Sequence, residues 1–205
     1  MAERRAQTLL EMMHFIERFT LNRAWNGLMD DELLWEPMPG CWTVRPVEES
    51  QTATPFVVGA WVADFDAALA PATEPLTSIA WLFWHVGSMP GRTAQLDFLG
   101  GAHTAASGWT SPYIAAHPIF TTAEEAVGTM RAGWHELGAA LRSASDEQLE
   151  QPVRFWGYGG PGPKGTGAQV VALMLNEVSH HGTQIGVLRD LYRLRAGASI
   201  ECHAE

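Results

Sequence analysis

Four stretches of the chain return an apolar residue every three or four positions, and this helical rhythm sets the kind of fold available. The first runs from about Glu3 to Asn26, with Leu9, Met12, Met13, Ile16 and Phe19 on one side. The second runs from about Thr77 to Leu99 and repeats Ile79, Leu82, Val86 and Met89; Pro90 inside it is expected to kink or break the turn. The third opens on the capping-box pattern Thr122-x-x-Glu125 and carries Val127, Met130, Trp134, Leu137 and Leu141 to about Ser143. The fourth spans about Ala168 to Arg193. An all-α fold follows as the expectation: a four-helix bundle with long crossover loops, in a single domain over residues 1–205.

Three loops rich in Gly, Pro and Thr separate the helices. Residues 36–76 form the longest, a length that usually marks a functional segment or lid, and its "TPFVVGAWV" has the composition of a short strand. Residues 100–121 form the second. The third, "WGYGGPGPKGTG", reads as a turn or mobile flap; it lacks the order of a phosphate loop, because Lys164 follows Pro163.

Charge narrows the function classes. A net charge of −10 repels a phosphate backbone, so nucleic acid is not an expected partner. No window holds the roughly 18 uninterrupted apolar residues of a membrane span, and the N-terminal "MAERRAQTLLEMMHFIERF" has no charge-free apolar run, so a cytoplasmic location is expected. Cys41 and Cys202 lie far apart, form no zinc-ribbon spacing and are expected to be reduced.

The fourth helix carries the chemistry. Val170, Met174, Glu177, His181, Gln184 and Leu188 follow one face, apolar at its ends and polar in its middle. Glu177 and His181 stand one turn apart, roughly 5–6 Å between Cβ atoms. A buried carboxylate needs a partner, and His85, between Leu82 and Met89 on the second helix, offers one. Two imidazoles and a carboxylate with an open fourth position make the ligand set of a catalytic zinc site, with nickel, iron or manganese permitted by ligand type. A hydrogen-bonded Glu–His pair in a plain core fits the same spacing. His180 competes with His181 but sits about 100° round the helix, off the Met174–Glu177–Gln184 line.

"NEVSHHGTQIGVLRDL" together with "WLFWHVGS" resembles the DinB-like family of helical bundles, which includes bacillithiol transferases and related thiol-dependent enzymes. Members typically carry one His on the second helix and a His-x-x-x-His pair on the fourth, often with a Gln three residues on. Here His181 and Gln184 match the later positions, while Glu177 stands where the first His of the pair would be. That departure is similar to the mycothiol-dependent maleylpyruvate isomerase branch, whose zinc is held by His, Glu and His. The resemblance implies His85, Glu177 and His181 as metal ligands and a low-molecular-weight, mycothiol-like thiol as cosubstrate; related bundles often pair as homodimers. The extra C-terminal domain of that isomerase is missing, so isomerase activity is not implied.

The expected reaction is transfer of a metal-activated thiolate to a small electrophile. Arg92, seven residues after His85, is placed to anchor a carboxylate unless Pro90 turns it away; the alternative is a solvated Arg near a helix end. Gln184 is placed to orient a ligand or a metal-bound water, or simply to bond a neighbouring helix. Trp25, Trp84 and Trp134 are pocket walls or core. No catalytic base can be named, and "HEL" at His135 fails the zincin pattern at Ala139. Two other readings stay open: a hydrolase acting through zinc-bound water, and a non-enzymatic small-molecule-binding bundle with a vestigial site.

Overall fold

The computed structural model describes residues 5–66, 75–103, 117–154 and 164–195, and this part of the chain is mostly helical with two small antiparallel sheets. Helix α1 (Arg5–Ile16) passes through a π-helical turn (Glu17–Leu21) into α2 (Asn22–Trp25), followed by the short α3 (Asp30–Leu33). The wide π turn admits one extra residue, so the inward side steps from Ile16 to Leu21 rather than by three or four. Phe19, expected inside, is turned out and pairs with Phe15 on the surface at 4.6 Å.

The second periodic segment is two helices, α4 (Ile79–Val86) and α5 (Met89–Ala94). Pro90 falls in the first turn of α5, where its missing N–H costs nothing, and the break lies just before it at Gly87–Ser88. Every residue of α4 is buried, as befits a helix apolar all round. Helix α6 (Ala123–Ser143) is capped by Thr122, whose hydroxyl accepts from the Glu125 N–H. A reciprocal capping box at Ser145 and Gln148 starts α7 (Asp146–Glu150), and α8 (Gly167–Arg195) closes the described chain. Helix α1 packs against α6 and α8, α4 against α8, and α5 against α6. Gly91 and Gly133 let α5 and α6 meet backbone to backbone: a Cβ on Gly133 would stand 2.5 Å from the Gly91 nitrogen.

Residues 36–66 are folded around a sheet that helical periodicity did not announce. Strands β1 (Val44–Pro46), β2 (Phe56–Val58) and β3 (Trp61–Ala63) pair in the order β1-β3-β2, so the expected single strand in "TPFVVGAWV" is a hairpin. Its two-residue turn is Gly59–Ala60, with Gly59 at φ 62°, the left-handed conformation such a turn demands. A second pair, β4 (Pro152–Arg154) and β5 (Lys164–Thr166), leads into α8, so the last part of the glycine-rich loop is strand; residues 156–163 of that loop, and 104–116 of the loop before it, lie outside the described residues.

The first sheet is bonded to the start of α4. Ser78 N–H donates to the Trp42 carbonyl at 2.8 Å, and Thr43 and Ser78 hydroxyls meet at 2.6 Å. Asp64, buried, accepts from Arg45 Nε at 2.8 Å and from the Thr43 N–H at 3.1 Å, while its own carbonyl receives Trp81 Nε1–H at 2.7 Å. The described part of the long connection thereby fixes a tryptophan one turn before His85.

Candidate metal centre

Helix α8 buries Val171, Leu175, Val178, Gly182, Ile185 and Arg189, a line one residue round from the stripe chosen by periodicity. The small Gly182 suits this rotation, because a Cβ there would stand 2.8 Å from Thr20 and 3.2 Å from Leu21 of the π turn. Glu177 and His181 therefore lie at the border of the buried face, with side chains 36% and 14% exposed, rather than in its centre. The polar group inside the stripe is Arg189. It donates to Glu32 Oε1 at 2.8 Å and to the carbonyls of Arg23, Ala24 and Asn26, satisfying the open end of α2.

On this border three side chains converge. His85 Nε2 lies 3.8 Å and His181 Nε2 3.4 Å from the same oxygen, Oε2 of Glu177. One ligand atom from each residue fits within a 4.8 Å span, the single such group among the described residues. His85 is held from behind by Trp81, whose ring stacks on the imidazole at 5.3 Å and 20°. The His181 ring meets His85 edge-on at 4.8 Å. The two imidazoles, His181 foremost, hold the Glu177 carboxyl well below the usual carboxylate range. Glu177 is therefore ionised across the neutral range, the state a metal ligand needs.

Gln184 is exposed and its Oε1 stands 2.6 Å from His181 Nδ1. A carbonyl oxygen only accepts, so Nδ1 donates to it and Nε2 is the ring nitrogen turned to Glu177. His180 lies outside the cluster, its ring 4.8 Å from that of His181. Arg92 sits half-buried on α5, beyond the helix break, where its charge acts on His117. Trp25, Trp84 and Trp134 are all buried in the core.

His117 was not singled out from the sequence, because it belongs to a loop and no periodicity marks it. It is buried, its Nδ1 is 3.1 Å from the Trp84 carbonyl, and burial pulls its pKa down to about 4, with Arg92 and His85 adding to the effect. Trp84 Nε1 and Ser88 Oγ are buried without a hydrogen-bond partner among the described residues.

The donor set fits a metal ion. Tetrahedral zinc with ligands at about 2.0–2.1 Å places its donors roughly 3.3–3.4 Å apart. The two imidazoles stand 3.4 and 3.8 Å from Glu177 Oε2, and the three ligand atoms together span no more than 4.8 Å, so closing on an ion asks only for small side-chain movements. The bonded outer nitrogen of His181 is the companion interaction such ligands require. No helix among the described residues is long and apolar enough to cross a membrane. No curated protein and no solved structure matches the chain. The family model of the DinB superfamily matches residues 17–185, a span that holds the whole cluster, and the chain belongs to that superfamily.

Proposed function

We propose that the protein is a metal-dependent enzyme that transfers a low-molecular-weight thiol, mycothiol-like, to a small electrophile. In this reading the helices form a four-helix bundle, the whole chain is one domain, and His85, Glu177 and His181 hold zinc. The observation that carries it is the convergence of three ligand atoms from two helices on one point, with the outer nitrogen of His181 already bonded. Bound there, the ion would supply the Lewis acidity that brings a thiol from its ordinary pKa of about 8.5 towards neutrality.

The chain's own groups do the rest. Glu177 would offset the ion's charge, and the Trp81 ring stacked on His85 steadies that imidazole. Gln184 holds the proton of His181 on Nδ1. Arg92, on the α5 side, is the group we assign to the thiol, as a donor to its oxygen acceptors. The hydrolase alternative needs a base beside a water, and the cluster contains no carboxylate other than the ligand Glu177.

Metal content of untagged protein tests the assignment. About one zinc per chain is expected, lost in both Glu177→Ala and His181→Ala. Consumption of an electrophile that requires added thiol would then separate transfer from hydrolysis. A wild-type chain that takes up no metal after zinc dialysis would sink the catalytic reading.

A further inference from the structure

The cluster has a second side. Between the start of α4 and the outer half of α8 lies an open cleft of about 450 Å³, and His181 and Gln184 form part of its wall. The remaining wall is mostly apolar: Leu76, Trp81, Leu82, Val187, Leu188 and Leu191. Three of these leave large apolar surface in water, Leu76 at 47%, Val187 at 51% and Leu191 at 45% exposure. Volume and lining are those of a small-molecule pocket, predominantly hydrophobic with a few placed polar groups.

Those polar groups define the ligand. The Thr183 hydroxyl donates to the Ser179 carbonyl, so towards the cleft it can only accept. The carbonyl of Gln184 is engaged by His181, which leaves its amide N–H groups as donors at the edge of the cluster. Thr77 and His180 are the other polar side chains of the lining, and among the described residues no Arg, Lys, Asp or Glu lines the cleft. Away from the cluster itself, an ionised carboxylate brought onto this wall would lose water and meet no Arg or Lys among the described residues.

We infer that this cleft seats the electrophile of the proposed transfer, and that the electrophile is an uncharged, mainly apolar molecule bearing a hydrogen-bond acceptor. The assignment rests on the thiol-transfer reading for the word electrophile, but the ligand class rests on the cleft alone. Trp81 does two jobs in it, one face steadying His85 and the remaining surface offered to the ligand. The apolar part of this wall disfavours anionic small molecules, and Arg92, which is not part of the lining, is left to the thiol.

Two probes of one shape and different charge test this: 2-naphthamide and 2-naphthoate, by equilibrium dialysis against the full chain as purified and after chelation. Chelation removes direct coordination of the carboxylate by metal. The amide is expected to bind the chelated chain at least about tenfold more tightly than the acid. Leu191→Arg should reverse that order, and Val187→Trp should abolish binding of both while metal content stays unchanged. Equal or tighter binding of naphthoate by the chelated wild type would overturn the inference. So would a lack of binding by either probe, including the case in which sedimentation shows a dimer that covers Val187 and Leu191. A chain that prefers the amide but binds no zinc would refute the transfer reading and leave the ligand class standing.

Discussion

At the scale of single residues, His117 shows how burial beside a cation turns an imidazole into a pH-sensitive part of the fold. Its pKa is pulled down to about 4 by burial first and by Arg92 and His85 next. In the unfolded chain an imidazole titrates near 6.5, so as pH falls the unfolded state takes up the proton first. The stabilisation from neutral His117 is therefore complete above about pH 6.5 and is lost progressively towards about pH 4. Its size is on the order of 3 kcal/mol. Denaturant midpoints measured across that window should fall steeply in wild type and less steeply in His117→Gln, which keeps a donor for the Trp84 carbonyl. Equal slopes would mean that other groups carry the acid sensitivity. Arg92→Met should move the His117 titration upward, as followed by NMR, because it removes the nearest named cation.

At the scale of elements, the ends and crossings of the helices hold the site in place. Arg189 joins α8 to the open carbonyls of α2 and to Glu32 of α3, with both partners almost fully buried. Removing one member leaves the other charge buried and unpaired, so Arg189→Met should lower unfolding stability by about 3–5 kcal/mol. The double variant Glu32→Leu/Arg189→Met should recover part of that loss; a double variant as unstable as the sum of the singles would show that the carbonyl contacts, not the pair, dominate. The crossing of α5 on α6 depends on two glycines. Gly133→Ala puts a methyl into the Gly91 backbone, which cannot yield as a side chain would. A loss of about 1–3 kcal/mol is expected, against little change for Gly128→Ala on the same helix, where a Cβ meets open space.

At the scale of the whole molecule, what the sequence made legible follows from periodicity. The long helices were readable because three-to-four spacing is a local signal, and Pro90 marked the break between α4 and α5 to within a turn. Spacing also brought Glu177 and His181 together, and depth along the helices brought His85 to them. Two kinds of information were not local. The sheet in residues 44–63 depends on pairing between distant segments, with strands too short for alternation to stand out. The rotation of α8, which moves the cluster to the border of the core, depends on Gly182 meeting the π turn across the molecule. This placement has a consequence for folding. His85 belongs to α4, which the sheet anchors through Trp81, and the other two ligands belong to α8. An ion bound to all three therefore ties the sheet-bearing half to the C-terminal helix, and it binds the folded chain alone. At a free zinc concentration about 100 times the dissociation constant, that linkage is worth about 2.7 kcal/mol. For a chain of this length it should raise the midpoint of thermal unfolding by roughly 5–11 °C over the chelated protein. His85→Ala should unfold near the temperature of chelated wild type and show little further rise with zinc, because the remaining ligands both lie on α8. A full rise in that variant would mean that zinc is held within α8 alone, and the bridge between the two helices would have to be abandoned.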